Sequence, residues 1–260
     1  MPLEAYAPLA WIVTAASVRG PEHAGKGRPR QDACAWRSEG GRLVAVVADG
    51  AGSAPLSREG ARLCSAAVVD ALFASTLPVL EDEEEPVREA IEAAIATARA
   101  LIAERIEVQL GGSTRDYAAT VVGVWAEGES GCLFHIGDGA AAATRAKDLG
   151  RSVVSPPENG SFAEETFFFT DRAWRARLRI TPFKDCDLVV LASDGAGSFT
   201  FAPRWQGLEA EFVAPLARHL ERRSPAAARR TLARVLHAPG AQAINGDDKT
   251  LILARLRDGG

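Results

Sequence analysis

Three aspartates stand at the ends of apolar segments, where a β-strand would aim their side chains. Asp49 closes the segment VAVVA, Asp194 follows VVLAS, and Asp247 comes shortly before TLILARL. A buried strand fixes the Cα at its end, and Gly50 and Gly195 let the backbone turn and leave room for a cation to approach a carbonyl. Carboxylates gathered at one edge of a sheet are the oxygen ligands that Mg²⁺ and Mn²⁺ prefer. The sequence therefore predicts a divalent-cation site.

Each acidic motif, taken alone, also has a plainer interpretation. Asp-Gly is a common turn dipeptide, and Asp138-Gly139, between two short apolar segments, fits a hairpin turn especially well. The motif Asp-Gly-Ala-Gly occurs twice, at 49–52 and 194–197. Both copies follow an apolar segment, and the first leads into a helical pattern instead of a returning strand. Together with Asp247-Asp248 they are hard to explain as turns.

Composition narrows the choice of metal and of protein class. The 260 residues are 47% apolar and carry a formal charge of −4, which is ordinary for a soluble globular protein and argues against nucleic acid as a partner. No apolar run is long enough to span a membrane and no signal-peptide pattern stands at the start, so we expect one cytoplasmic domain over 1–260. Four scattered cysteines and four histidines leave mainly oxygen ligands, which favours Mg²⁺ or Mn²⁺ over Zn²⁺.

Apolar periodicity predicts the elements that must position these side chains. We expect strands over 9–18, 33–37, 43–48, 119–126, 132–136, 140–144, 177–180, 187–192 and 250–256. We expect helices over 56–73, 86–110, 206–222 and 225–237, with the acidic run 81–85 as a solvated helix start. We expect a basic loop over 20–30 and an irregular segment near the cleft over 146–172, with the phenylalanines at 167–169 in the core. Because the helices cluster, the pattern favours an α+β fold with mainly antiparallel sheets, and a doubly wound α/β fold is second.

With its motifs in this order, the chain resembles the metal-dependent Ser/Thr protein phosphatases of type 2C (the PPM family), and most closely their divergent bacterial branch. The resemblance runs from Gln31 to Thr250. The motifs that carry it are Gln31-Asp32-Ala33, Asp49-Gly50-Ala51-Gly52, Ala119-Thr120, Gly137-Asp138-Gly139, Ser193-Asp194-Gly195 and Asp247-Asp248-Lys249-Thr250. It implies a fold of two packed, mainly antiparallel sheets flanked by helices on both outer faces.

The resemblance also implies a set of metal ligands. Asp49 would bridge two divalent ions, and the carbonyl of Gly50 would bind one of them. Asp194 and Asp247 would complete the shell of the other ion. Asp138 would form, with Asp194, a looser third site. Two such ions, roughly 3.5–4 Å apart, lower the pKa of a bridging water that attacks phosphorus directly.

Around these ligands the resemblance assigns supporting residues, with some departures from the family pattern. Asp32 would orient the attacking water or ligate weakly. Asp248 stands where relatives usually have asparagine, and we expect it to support the ligands without touching the ions. Gln31 replaces a common glutamate. Ala51 replaces a histidine that is proposed to protonate the leaving group in some relatives.

The segment before Gln31 supplies the candidates for proton donation and for phosphate binding. His23 could replace the missing histidine, although the residue pattern alone favours a surface loop position, and metal-bound water is the other proton source. Relatives carry a phosphate-binding arginine nearby, and Lys26, Arg28 and Arg30 are the offset candidates in this chain. A solvated basic loop is the alternative interpretation of those three residues.

The function that the resemblance implies is hydrolysis of phosphoserine and phosphothreonine in proteins that a Ser/Thr kinase has phosphorylated. Two alternatives stay open. One is a family member without activity that binds phosphoproteins or another partner, which the presence of Asp49, Asp194 and Asp247 disfavours. The other is a hydrolase of small phosphate esters, which would need the same metal site.

Overall fold

Two five-stranded β-sheets stack face to face, and helices cover the outer face of each. The computed structural model describes residues 9–76, 84–109, 112–158 and 166–258. The strands of these residues are β1 Leu9–Val18, β2 Ala33–Glu39, β3 Arg42–Ala48, β4 Val121–Glu127, β5 Ser130–Ile136, β6 Ala140–Arg145, β7 Asp148–Ser155, β8 Arg179–Phe183, β9 Leu188–Ala192 and β10 Lys249–Asp258. The helices are α1 Pro21–Gly25, α2 Ser57–Ala74, α3 Glu84–Gln109, α4 Trp174–Arg177, α5 Asp194–Thr200, α6 Ala210–Glu221, α7 Pro225–Leu236 and α8 Pro239–Ile244, and 3₁₀ turns lie at Thr114–Tyr117 and Pro203–Trp205.

The strand order is β1-β10-β9-β6-β7 in the first sheet and β2-β3-β4-β5-β8 in the second. β1 pairs with β10 along its whole length, from Leu9 opposite Asp258 to Val18 opposite Lys249. All neighbouring strands run antiparallel. The prediction of an α+β fold with two antiparallel sheets is confirmed. The doubly wound alternative is wrong, because that fold needs parallel strands joined by helical crossovers.

Side chains of the central strands point alternately to the two faces of each sheet, and they contribute to three apolar layers. On β3, Val44 and Val46 pack against α2 and α3, whereas Leu43 and Val47 face the first sheet. On the far side, Val190 of β9 packs against the cluster that α6 and α7 contribute. Because successive side chains of a strand point to opposite faces, a strand covered on both sides is apolar at every position. That is why these strands stand out in the sequence.

Most predicted elements lie within a few residues of their expected bounds, but the helix predicted over 206–222 begins only at Ala210. Residues 81–83, Leu110 and Asn159-Gly160 belong to predicted segments but lie outside the described residues, so the structure does not test the predictions at those positions. No helix in the described ranges is both long and apolar enough to cross a membrane.

The prediction of an irregular segment over 146–172 is wrong in its first half. Asp148–Ser155 is a strand, β7, at the edge of the first sheet. Its residues are mostly exposed or half-buried, so the strand lacks the apolar signal of a central one. The short strand predicted over 177–180 also shifts, to Arg179–Phe183, because the buried Trp174 opens a helical turn that ends at Arg177.

Two predicted loops have a different local structure. Asp138-Gly139 is not a hairpin turn, because it connects β5 of the second sheet with β6 of the first. The loop expected over 20–30 contains the short helix α1, which has Pro21 at its first position, where proline is well suited. Both differences place acidic and imidazole side chains at one end of the sandwich, where the candidate site lies.

Candidate metal centre

Asp49 is positioned by the end of β3 and by the segment that enters β4. Its carbonyl accepts a hydrogen bond from the Thr120 amide at 2.8 Å, and its amide donates to the Thr120 hydroxyl at 3.0 Å. An antiparallel bridge between Gly50 and Ala119 continues the pairing past the end of the strand. A Cβ at Gly50 would lie 2.8 Å from the Ser57 carbonyl, so close packing requires glycine there.

Asp194 and Asp247 are positioned by the neighbouring ends of β9 and β10. The Ser193 amide donates to the carbonyl of Thr250 at 3.0 Å, and the Thr250 amide donates to the Ser193 hydroxyl at 2.9 Å. Asp194 is then the first residue of α5. A Cβ at Gly195 would lie 1.9 Å from the Asp248 carbonyl, so glycine allows α5 to start against the strand that follows Asp247.

These elements bring the predicted carboxylates together around a cleft of about 420 Å³. Four aspartates border it, from the end of β3, the β5–β6 connection, the start of α5 and the segment before β10. The described residues that line the cleft are His23, Asp49, Gly50, Ala51, Gly52, Ser53, Thr120, Asp138, Thr166, Phe168, Asp194 and Asp247. Asp32 lies beside them and is 1% exposed. Its carboxylate accepts a hydrogen bond from the Thr250 hydroxyl at 2.6 Å.

Burial and mutual repulsion raise the pKa of these carboxyl groups. Burial raises the pKa of Asp49 well above its ordinary value of 3.8, and the charges of Asp32 and Asp194 add to the rise. The pKa of Asp32 is raised to about 6, mainly by burial. The pKa of Asp194 is raised to about 7, first by burial and then by Asp138, Asp247 and Asp32. The raised pKa values show that the negative charge of these carboxylates is not fully balanced by the protein, which favours any cation that enters the cleft.

The donor set fits hard divalent cations. Among the described residues that line the cleft there is no lysine or arginine. One carboxylate oxygen of Asp32 and one of Asp138 are buried without a hydrogen-bond donor, and such oxygens are the ligands that Mg²⁺ and Mn²⁺ take. His23, Asp247 and Asp248 form a further group whose ligand atoms lie within 4.8 Å of one another.

Asp248 is already occupied by contacts within the protein. Its carboxylate accepts hydrogen bonds from the amides of Gly20 at 2.8 Å and Gln31 at 2.6 Å, and it lies 2.9 Å from Nδ1 of His23. The aspartate thereby joins the start of β10 to α1 and to the segment before β2. These contacts give Asp248 a joining role within the site.

His23 is buried, so the interpretation as a surface loop residue is wrong. It is 8% exposed, and Asp248 holds its ring at the border of the cleft, near Ala51. The sequence around it is glycine-rich and basic, which is typical of a solvated loop. The burial comes from a tertiary contact across more than two hundred residues of chain, which local patterning does not reveal.

The three basic candidates for phosphate binding lie in different places. Lys26 is 60% exposed and pairs with Glu22 of α1 at 3.7 Å. Arg30 donates to the carbonyls of Ser17 and Asp32 and lines a separate groove. Arg28 donates to the carbonyl of Gly52 at 3.0 Å, at the border of the cleft. The structure therefore brings Arg28 to the site and leaves Lys26 and Arg30 outside it.

Some residues of the site lack a role in the sequence interpretation. Lys249 is fully buried, and its ammonium donates to the carbonyls of Asn245 at 3.0 Å and Asp247 at 2.9 Å. The sequence feature that could have revealed this residue is a lysine at the first position of an apolar strand, because a buried charge needs hydrogen-bonding partners. The Thr166 hydroxyl donates to Asp138 at 2.7 Å, and Phe168 lines the cleft, whereas Phe169 is in the core as predicted.

Gln31 links the segment before β2 to α2, next to Gly50 of the cleft. The side-chain amide of Gln31 donates to the Ser57 hydroxyl at 2.8 Å, and the main-chain carbonyl of Gln31 packs against Gly50. The side chain is 8% exposed. It is neutral, so it adds no negative charge to the surrounding carboxylates.

Comparisons with known proteins agree with the fold described above. A family model described as protein phosphatase 2C matches residues 19–237. No curated protein matches the sequence significantly. Among solved structures, the chain is similar to the catalytic domain of the serine/threonine protein phosphatase PstP in complex with two manganese ions, with 17% identity and a TM-score of 0.64 over 96% of this chain and 100% of that one.

Two further solved structures have the same fold. The serine/threonine phosphatase Stp1 from Staphylococcus aureus is 15% identical, with a TM-score of 0.59 over 98% of this chain and 97% of that one. RsbX in complex with magnesium is 14% identical, with a TM-score of 0.54 over 99% and 98%. At these identities the likeness to solved structures establishes the fold alone.

Proposed function

This chain belongs to the protein phosphatase 2C family, and on that premise we propose that it hydrolyses phosphoserine and phosphothreonine in proteins with the help of divalent cations. The observation that carries the proposal is the cleft, where Asp49, Asp138, Asp194 and Asp247 meet without a lysine or arginine among the described lining residues. The substrate phosphoprotein, its Ser/Thr kinase and a cytoplasmic location stay predictions from the sequence.

We propose that Asp49, the Gly50 carbonyl, Asp194 and Asp247 hold two Mg²⁺ or Mn²⁺ ions, with Asp138 at a looser third position. Such ions, when bound, supply a water activated for attack and positive charge that neutralises the phosphate. The contacts of Asp49 and Asp194 support this assignment, because both side chains are aimed by strand ends that main-chain hydrogen bonds tie to neighbouring elements.

The remaining residues orient groups and move protons. Asp32 accepts from Thr250 with one oxygen and keeps the other without a donor, so it can orient the attacking water. Arg28 at the border of the cleft is the residue to which we assign an approaching phosphate, since a guanidinium binds phosphate oxygens with charge-assisted hydrogen bonds. Asp248 positions His23, which faces the cleft near Ala51 and can donate the proton that a leaving serine or threonine alkoxide requires.

Replacing His23 by glutamine is expected to separate substrates by their leaving groups. p-Nitrophenolate leaves without a proton, whereas an alkoxide needs one, so kcat for a phosphoserine peptide should fall by about a hundredfold or more while kcat for p-nitrophenyl phosphate changes little. Steady-state kinetics on both substrates measures the ratio. His237→Gln, at an exposed histidine after α7, is the matched control. Equal losses on the two substrates would remove His23 from proton transfer.

One set of assays tests the proposed function and separates it from its alternatives. Peptides carrying phosphoserine, phosphothreonine or phosphotyrosine, together with small phosphate esters, are incubated with Mn²⁺, with Mg²⁺ and with EDTA. We expect cation-dependent hydrolysis of the first two peptides at the highest kcat/KM. Fastest turnover of the small esters would indicate the small-molecule alternative. Binding of phosphopeptides without turnover would indicate a regulatory module, and undiminished turnover in EDTA would refute the metal-dependent mechanism.

A further inference from the structure

A second cavity, separate from the cleft, lies where the edge strands of the two sheets meet. It has a volume of about 610 Å³ and runs between α2 and α7 over β1 and β2. Alanines of the two strands line it, among them Ala15, Ala16, Ala33 and Ala35. Their small side chains leave the space open between the helices. None of the chemistry assigned to the cleft uses this cavity.

Five arginines and one glutamate line the cavity, which we call the arginine groove. The arginines are Arg30, Arg58, Arg62, Arg105 and Arg229. Glu59 neutralises Arg105 at 3.1 Å. In the described part of the chain, no carboxylate lies within ion-pair distance of Arg58, Arg62 or Arg229. Excess positive charge in one concave surface of a protein with a net charge of −4 indicates an anionic ligand.

The arginines converge on the groove from different elements. Arg30 donates to the carbonyls of Ser17 and Asp32, so hydrogen bonds orient its guanidinium. Burial raises the pKa of the Cys34 thiol to about 11; the charges of Arg30 and Arg229 oppose that rise, and the charge of Asp32 adds to it. Arg30, Cys34 of β2 and Arg229 of α7 all line the groove.

The spacing of the charges fits an extended ligand better than a single phosphate. Arg58 and Arg62 stand one helical turn apart on α2, a separation of about 6 Å along the axis. One or two arginines satisfy a phosphate or carboxylate group, and this groove offers more than that on several elements. Trp36, which is 38% exposed, adds an aromatic surface against which a peptide side chain can pack.

The groove adjoins the cleft through two neighbouring pairs of residues. Gln31 and Ser57, joined by a hydrogen bond of 2.8 Å, pack against Gly50 of the cleft. Arg30 directly precedes Gln31, and Arg58 directly follows Ser57. A substrate bound at the cleft thus has the positive groove beside its binding position, on the other side of the Gln31–Ser57 contact.

We propose that the arginine groove docks an acidic segment of the phosphoprotein substrate, away from the phosphorylated residue. The proposal rests on the proposed function and adds a determinant of substrate choice to it. An acidic peptide is favoured over a double-stranded nucleic acid because the charges line a concave cavity of about 610 Å³ between α2 and α7, which is too small to take a duplex. Docking in the groove is expected mainly to lower KM, since the docked segment touches none of the groups that react.

The test compares two phosphoserine peptides that differ only in a run of glutamates distant from the phosphoserine. We expect the acidic peptide to have a kcat/KM at least about tenfold higher in the wild-type protein, and the double variant Arg58→Glu, Arg62→Glu to lose that preference. Turnover of p-nitrophenyl phosphate should not change. The matched control is Arg218→Glu, Arg222→Glu, which reverses two exposed arginines at the same spacing at the end of α6.

Direct binding separates this proposal from the proposed function. A fluorescent polyglutamate peptide without phosphate should bind the wild-type protein and the α6 control, and lose affinity about tenfold or more in the groove variant. That result would stand even if no phosphopeptide were hydrolysed. Equal binding by all three proteins would overturn the groove assignment. The assignment would also be overturned if the same arginines bound a single-stranded oligonucleotide or anionic vesicles while the peptide did not bind.

Discussion

Asp49→Asn is expected to reduce phosphatase activity by more than about a hundredfold. Burial and the charges of Asp32, Asp194 and Asp247 raise the pKa of Asp49, so its carboxylate belongs to the cluster that would hold the cations. An amide has the same shape but lacks the charge that two cations would share. Loss of residues that only support metal ligands already reduces metal affinity or activity about 10–100-fold, so loss of this ligand should exceed that range.

The measurement is kcat/KM for p-nitrophenyl phosphate over a series of Mn²⁺ concentrations, because excess metal would compensate a change in affinity alone. Asp70→Asn is the matched control, since Asp70 is an exposed aspartate of α2 that pairs with Arg37. We expect the control to keep wild-type activity. If Asp49→Asn kept more than half of the wild-type activity, the site proposed for the two ions would be wrong.

Removal of divalent cations is expected to make the fold less stable as the pH rises. Asp32, Asp49 and Asp194 have pKa values raised above 3.8 in the folded protein, so the folded state binds protons more tightly than the unfolded state. The stability that comes from protonation is therefore complete below pH 3.8. It is lost as the pH rises through about 6 for Asp32 and about 7 for Asp194.

Mn²⁺ should reverse this loss by replacing the protons. At about a hundredfold excess over its dissociation constant, the ion should raise the Tm at pH 8 by about 5–10 °C, and by less at pH 5, where protons compete for the same oxygens. Differential scanning calorimetry over this pH range, in EDTA and in Mn²⁺, measures both effects. A rise in Tm that is independent of pH would place the ion outside the carboxylate cluster.

The buried His135 changes the pH dependence of folding stability in the opposite direction, so the experiment must separate its contribution from that of the aspartates. Burial lowers the pKa of His135 well below 6.5, so its contribution to stability is present above pH 6.5 and is lost as the pH falls. Of the groups packed around it, Arg179 lies 2.9 Å and Ser155 3.1 Å from Nδ1. Comparing the wild-type protein with Asp194→Asn cancels this contribution, because both proteins keep His135. In EDTA the variant should lose part of the pH dependence and become more stable at pH 8.

The central strands could be predicted from the sequence because they are apolar on both faces. β3 and β9 are covered by the other sheet on one side and by helices on the other, so every residue of the two strands after Arg42 is apolar and buried. β7 could not be predicted in the same way, since it lies at a sheet edge and most of its residues are partly exposed. The Asp138-Gly139 connection was misleading for a related reason, because nothing local tells whether two successive strands share a sheet.

The acidic residues of the site could be found because strand ends and glycines mark them in the sequence. The roles of the glycines were only partly predictable. Gly50 and Gly195 are required by close contacts with Ser57 and Asp248, and neither has a positive φ. His23 could not be placed, because its burial depends on Asp248, a contact that only the folded chain creates. Nor could the sequence show that Arg28 lies at the cleft while Arg30 lies in another groove, because tertiary contacts place both side chains.

The central claim, that carboxylates distant along the chain bind a pair of cations, is tested most directly by crystals grown with Mn²⁺ and measured for anomalous scattering. We predict two strong peaks, roughly 3.5–4 Å apart, both in contact with Asp49. The Gly50 carbonyl should bind one ion, and Asp194 and Asp247 the other. A single ion held by His23, Asp247 and Asp248, or no anomalous density within reach of Asp49, would contradict the account.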